Sequence, residues 1–72
     1  MNSALEAQQQ LAREDPDYQR LARKHEEHDA RLRELRSHKY LSDAEQMEEV
    51  RLKKLKLALK DQMEAIVRRA AS

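Results

Sequence analysis

Residues 50–63 read VRLKKLKLALKDQM and form the middle of the longest uninterrupted helical run that the sequence predicts. Neither glycine nor proline occurs between residues 43 and 71, and strong helix formers fill this stretch. Just before it, Ser42 and Glu45 have the spacing of a capping box, in which each side chain accepts the backbone N–H of the other residue. The sequence therefore predicts a helix over residues 43–71, about 43 Å long.

The apolar residues of this predicted helix fall on two sides when they are placed at about 100° per residue. The broad side carries Leu52, Leu55, Leu59, Met63 and Ile66. The opposite side carries Val50 and Leu57, with Met47 leaning toward them, and is interrupted by Lys54 and Asp61. A single partner helix can cover only the broad side. The opposite set is either a scatter of surface apolar residues, which is common, or an interaction face for another subunit.

A second helix is predicted to begin at Pro16, because proline is favoured at the first helical position and Asp15 is a good N-cap. It runs to about Ser37, and one face repeats at steps of three and four residues, as in a coiled coil. That face consists of Tyr18, Leu21, His25, His28, Leu32 and Leu35. Because helix connections of roughly 2–8 residues produce antiparallel neighbours, we expect this helix to fold back onto the broad side of the long helix.

The predicted fold class is all-α: an antiparallel two-helix hairpin, coiled-coil-like, with a short N-terminal helix or arm. Residues 1–15 form the arm or short helix, and residues 16–71 form the hairpin, with helices at 16–37 and 43–71 and a turn at 38–42. We call the predicted contact between the two helices the hairpin seam: Tyr18, Leu21, Leu32, Leu35, Leu52, Leu55, Leu59, Met63 and Ile66. In the N-terminal segment, Ser3 and Glu6 have capping-box spacing, and the expected core contacts are Leu5, Leu11 and Ala12.

The composition is that of a single small helical domain. Of 72 residues, 40% are charged and 3% are aromatic, and there is no cysteine. Disulfides and thiol chemistry are therefore excluded, which fits a reducing cytoplasm, the predicted location. We expect no signal peptide and no membrane span, because no apolar run approaches the ~18 residues that a span requires.

Charge is balanced along the chain, with a net charge of +1. Because no segment is a basic arm or an acidic tail, we do not expect nucleic acid to be the main partner. The one basic cluster consists of Arg51, Lys53, Lys54, Lys56 and Lys60. Its members spread around more than half of the helix, as on a solvated flank whose alkyl stems cover the leucines. The alternative is weak binding to RNA or to an anionic surface, although aromatic residues for base stacking are lacking.

His25 and His28 share a helix face at a spacing that can bind Zn²⁺ or Cu²⁺. Two imidazoles alone are a weak signal, and HEEHD is not the metalloprotease pattern, whose histidines are four residues apart. The alternatives are packing at the hairpin seam, which we favour over a metal site, and a pH response near their ordinary pKa of ~6.5. We find no catalytic nucleophile–base pair and no phosphate loop, so the sequence predicts neither an enzyme nor a cofactor.

Two stretches carry a resemblance to a known family. The first is Asp15-Pro16 through Leu21, with Lys24-His25 and Asp29 to Leu32; the second is LKKLKL at 52–57 with LKDQM at 59–63. Over roughly residues 15–66 the chain resembles the small bacterial YdcH-like family, a domain of unknown function. It departs from that pattern at His28, where the family usually has leucine. The resemblance implies a short helical hairpin of the bacterial cytoplasm that can be oligomeric, with no established activity, ligand or catalytic residues.

A two-helix hairpin buries little apolar surface against the conformational entropy of ordering some fifty residues. With no cysteine to form a disulfide, association is the natural source of further stability. We therefore expect a homo-oligomer, a dimer or a tetramer, formed through Val50, Leu57 and Met47, or docking of a helical protein partner. The predicted function is that of a non-enzymatic protein-interaction or self-association module, with weak binding of nucleic acid or an anionic surface as the alternative.

Overall fold

The computed structural model describes residues 3–71, which form three helices and, within that range, no strand. They are α1 (Ala4–Glu14), α2 (Pro16–Arg36) and α3 (Asp43–Ala71). The molecule is elongated, 49 × 18 × 17 Å. Helices α2 and α3 pack against each other, and α1 packs against both. The prediction of an all-helical chain is confirmed.

The start of α3 is held by the predicted capping box. The Ser42 hydroxyl accepts the Glu45 backbone N–H at 3.1 Å, and the Glu45 carboxylate accepts the Ser42 backbone N–H at 2.9 Å. Both groups would otherwise be among the unpaired donors of a helix N-terminus. At the start of α1, Ser3 accepts the Glu6 backbone N–H at 3.1 Å in the same way. The sequence signals for these two helix starts are therefore confirmed.

Asp15 is the joint between α1 and α2. Its backbone N–H donates to the Leu11 carbonyl at 2.9 Å and closes α1, while its side chain accepts the Tyr18 N–H at 2.9 Å and caps α2. The Gln19 side-chain amide also donates to the Ala12 carbonyl at 3.0 Å. One residue thus ends one helix and begins the next, so α1 is held directly against the start of α2.

Helix α2 ends without glycine and without a left-handed residue. No residue described by the structure has a positive φ, and Ser37 stays in the right-handed helical region at φ −79° and ψ −14°. The Ser37 hydroxyl donates to the Glu34 carbonyl at 2.6 Å, and the His38 N–H donates to the Leu35 carbonyl at 3.1 Å. These bonds satisfy the last carbonyls of the helix in place of a glycine cap.

The core is centred on Leu32 and Leu35 of α2, which are fully buried, and Leu52 of α3, with Leu41 packed beside them. Tyr18 and Ala7 are also buried, at 3% and 1% exposure. Leucine and alanine side chains therefore provide most of the buried apolar surface of the described chain. Removing this surface from water is the main favourable contribution to folding.

The prediction for the N-terminal segment is wrong in detail. Leu5 is 62% exposed and Ala12 is exposed, whereas Leu11 is half-buried and Ala7 is the buried residue of α1. A small side chain at the contact allows α1 to approach its neighbours closely. Helix α1 therefore packs through alanine rather than through its larger residue Leu5.

Leu55 also departs from its predicted place. It is 43% exposed, whereas Leu52 is buried and Leu59 is half-buried. Leu55 lies about 60° around the helix from Leu52, at the edge of the broad apolar side. On the other edge, Val67 and Lys56 are half-buried. The buried side of α3 is thus rotated toward Val67 and away from Leu55.

Candidate interaction face

Arg31 of α2 and Glu48 of α3 form a bidentate ion pair. Arg31 Nε donates to Glu48 Oε2 at 2.8 Å, and Nη2 donates to Oε1 at 2.9 Å. The third guanidinium nitrogen, Nη1, lies 3.0 Å from Glu34 Oε1. The hydrogen bond to Glu48 is the main reason that the pKa of Arg31 is raised, and the bond to Glu34 adds to it. The hydrogen bond from Arg31 in turn lowers the pKa of Glu48. A two-point contact of this kind fixes orientation better than a single hydrogen bond does.

Asp29 of α2 and Lys56 of α3 form a second contact between the helices. The Lys56 ammonium donates to Asp29 Oδ1, and the Arg33 guanidinium donates to Asp29 Oδ2. The hydrogen bond from Lys56 is the main reason that the pKa of Asp29 lies below its ordinary value. Like the pair of Arg31 and Glu48, this contact is made on the side of α3 that packs against α2.

The side of α3 opposite Leu52 carries an apolar outer face, which we define as Met47, Val50 and Leu57. Their exposed fractions are 65%, 51% and 60%, respectively. They lie about 140–160° around the helix from the buried Leu52. A shallow groove of about 470 Å³ runs beside Met47 and Val50, between Asp43 and Gln46. Met47 and Val50 line this groove together, whereas Leu57 lies nearer α2, in a cleft that it lines with His25, Leu32 and Arg36.

The nine residues of the predicted hairpin seam differ in burial. Tyr18, Leu32, Leu35 and Leu52 are buried, and Leu21, Leu59, Met63 and Ile66 are half-buried. Leu55 alone among the nine is exposed. Along α3 the seam is buried at Leu52 and half-buried at Leu59, Met63 and Ile66, whereas α2 has buried residues near both of its ends.

His25 and His28 are both half-buried on α2. His25 lines an open cleft of about 640 Å³ together with Tyr18, Lys60, Met63 and other residues. All three helices contribute to this cleft. Within residues 3–71, no three histidine, cysteine, aspartate or glutamate side chains come together in a way that could hold a metal ion. Packing of the two imidazoles at the hairpin seam therefore stays a prediction.

The basic residues of α3 are not a free cationic stripe. Lys56 is held by Asp29, and Lys53 lies 3.5 Å from Glu49. These two contacts neutralise part of the charge that a nucleic acid or an anionic surface would meet. Helix α3 therefore offers a mixed surface in which cations are partly paired and apolar side chains are exposed.

The sequence did not predict the contacts between helices. The spacing of Glu27 and Arg31 favours an ion pair within α2, but Arg31 instead reaches Glu34 and Glu48. Asp29 pairs with Arg33 four residues further along α2, a spacing that favours such pairs, and in addition accepts from Lys56. The sequence offered only a weak signal for the two ion pairs between helices. Each pair joins oppositely charged residues on helix sides next to the predicted seam.

The fold and this face define a small all-helical protein with an exposed apolar stripe on its longest helix. Residues 19–67 match the family described as Protein of unknown function (DUF465), and the chain belongs to that family. The resemblance to the YdcH-like family is consistent with this membership. No curated protein matches the chain, and no solved structure does. Within residues 3–71, no helix combines the length and apolar character needed to cross a bilayer.

Proposed function

We propose that α2 and α3 form an antiparallel hairpin and that this hairpin is a non-enzymatic protein-interaction module that self-associates. The order of the contacts supports the antiparallel pairing. His38 pairs with Glu45, Arg31 pairs with Glu48, and Asp29 pairs with Lys56. Partner numbers that rise as residue numbers fall are expected of antiparallel neighbours joined by a short connection.

The observation that carries the self-association is the exposure of Met47, Val50 and Leu57, each at least half exposed on one side of one helix. Single exposed apolar residues are ordinary, but several on one side of one helix favour an interaction site. The buried core of the described chain contains only five residues. A second copy that covered the outer face would add to this small core the apolar burial that a chain of this size needs.

Sedimentation equilibrium over about 5–500 µM protein tests this proposal. The parent chain is expected to associate reversibly with rising concentration. The Val50→Gln/Leu57→Gln variant is expected to sediment as a monomer at the same helix content. Leu5→Gln is the matched control, because Leu5 is an equally exposed apolar residue on α1. A parent chain that is monomeric throughout this range would contradict the proposal.

A further inference from the structure

Two residues of the outer face of α3, Met47 and Val50, are flanked by an acid and a base. Asp43, Met47, Val50 and Lys54 follow one another at steps of four, three and four residues. This is the spacing of a coiled-coil seam, and all four side chains are exposed. Among residues 3–71, neither Asp43 nor Lys54 has an ion-pair partner. The stripe is thus an apolar pair with an acid on its N-terminal side and a base on its C-terminal side.

We propose that the partner of this stripe is a second copy of the chain, packed antiparallel along α3 about a two-fold axis between residues 48 and 49. The proposal rests on the self-association proposed above and specifies its register. In this arrangement Met47 faces Val50 of the second copy, and Asp43 faces its Lys54. Because the axis is two-fold, every contact occurs twice, as an isologous interface requires.

Charge complementarity selects this register. Asp43 and Lys54 flank the apolar pair. Each faces the opposite charge of the second copy only when the two helices run antiparallel about the axis between residues 48 and 49. A shift that places Met47 opposite Leu57 of the second copy would place Asp43 opposite its Asp61. Facing like charges oppose association and suppress the wrong pairing.

The same register accounts for two further exposed side chains. Tyr40, which is 82% exposed, lies in the connection just before α3, and Leu57 is 60% exposed. With the axis between residues 48 and 49, Leu57 of one copy comes beyond the start of the other copy's α3, on the side of the connection that carries Tyr40. Met47 and Val50 would then lie at the centre of one symmetric contact, with Leu57 and Tyr40 toward its ends. These are four of the six large apolar side chains that the structure leaves exposed.

Charge reversal in the full chain tests the register. Asp43→Lys and Lys54→Asp are each expected to raise the dimer dissociation constant about tenfold, because each replaces two attractive contacts with two repulsive ones. The double reversal restores both contacts with opposite polarity and is expected to recover the parent value within about threefold. Because the double variant also carries lysine at position 43, its recovery excludes weakening of the α3 start as the cause.

Introduced cysteines give a second measurement, since the chain has none of its own. Oxidation of the Met47→Cys/Val50→Cys variant is expected to yield a covalent dimer, whereas Met47→Cys/Leu57→Cys is expected to yield little. The reverse pattern would overturn the register, as would charge reversals that leave the dissociation constant unchanged or a double variant that does not recover. In all these outcomes the parent chain still dimerises, so self-association stands. A monomeric parent chain would overturn both proposals.

Discussion

The Arg31 guanidinium of α2 holds both carboxylate oxygens of Glu48 on α3, at 2.8 and 2.9 Å, and spans a separation of 17 residues in sequence. This contact lies beside the buried Leu32 and Leu52. Glu48 lies one helical turn before the buried Leu52, whereas Val50 lies on the opposite side of α3 and is exposed. The ion pair and the proposed interaction face therefore lie on opposite sides of the same helix.

Removal of that ion pair is expected to lower stability. Glu48→Gln loses the charge that Arg31 binds with two hydrogen bonds, so the melting temperature should fall. Glu27→Gln is the matched control, because Glu27 is an exposed glutamate on α2. Thermal unfolding followed by circular dichroism checks both variants. Equal melting temperatures for Glu48→Gln and the parent chain would show that the pair does not stabilise the fold.

The burial difference between Leu32 and Leu55 gives a second prediction. Leu32 is fully buried, so Leu32→Ala should lower the free energy of unfolding by about 2–5 kcal/mol. Leu55 is 43% exposed, and Leu55→Ala should cost less than about 1 kcal/mol. Urea denaturation measures both variants, and Leu32→Val, at about 1 kcal/mol, serves if the alanine variant does not fold. A greater loss for Leu55→Ala than for Leu32→Ala would contradict the observed rotation of α3.

The depressed pKa values of three carboxyl groups predict how stability depends on pH. The pKa of Glu48 is lowered by the Arg31 hydrogen bond, that of Asp29 by the Lys56 hydrogen bond and that of Glu45 by hydrogen bonds from Ser42. In each case the unfolded chain binds a proton at higher pH than the folded chain does. Stability is therefore fully present above the ordinary values of 4.5 for glutamate and 3.8 for aspartate, and is lost as the pH falls below them.

Melting temperatures measured from pH 7 down to about pH 2 check this expectation. The parent chain should lose stability progressively below about pH 4.5, and Glu48→Gln should show a shallower decrease because one of the three groups no longer titrates. A melting temperature that rises on acidification would show that these carboxyl groups do not stabilise the fold in their charged form.

The helix ends could be predicted from sequence because their signals are local. The capping pair of Ser42 and Glu45, and Asp15 before Pro16, each act within one helical turn, so spacing alone identifies them. The class of fold followed from the same information, since a long stretch without breakers and a short connection leave few alternatives. The outer face was visible because an ideal helix puts Val50 and Leu57 opposite Leu52.

Contacts between the helices could not be predicted in detail, because they depend on how each helix is rotated and how closely it approaches its neighbours. Leu55 is as apolar as Leu52, yet a rotation toward Val67 leaves it exposed. Leu5 is larger than Ala7, yet Leu5 is exposed and Ala7 is the buried residue of α1. Arg31 has acids within reach on its own helix and on α3, and only the packed arrangement selects Glu48.

The most direct test of the account is a distance between two spin labels, one on each of the paired helices. Arg20→Cys/Gln62→Cys introduces two exposed sites into a chain with no cysteine. The labelled chain is mixed with excess unlabelled chain, so that only distances within one copy are measured by pulsed electron resonance. An antiparallel hairpin predicts a separation below about 25 Å, because paired helix axes lie about 8–10 Å apart and the labels add their own length. A separation near 60 Å, the span of 42 residues in one unbroken helix at about 1.5 Å each, would contradict it.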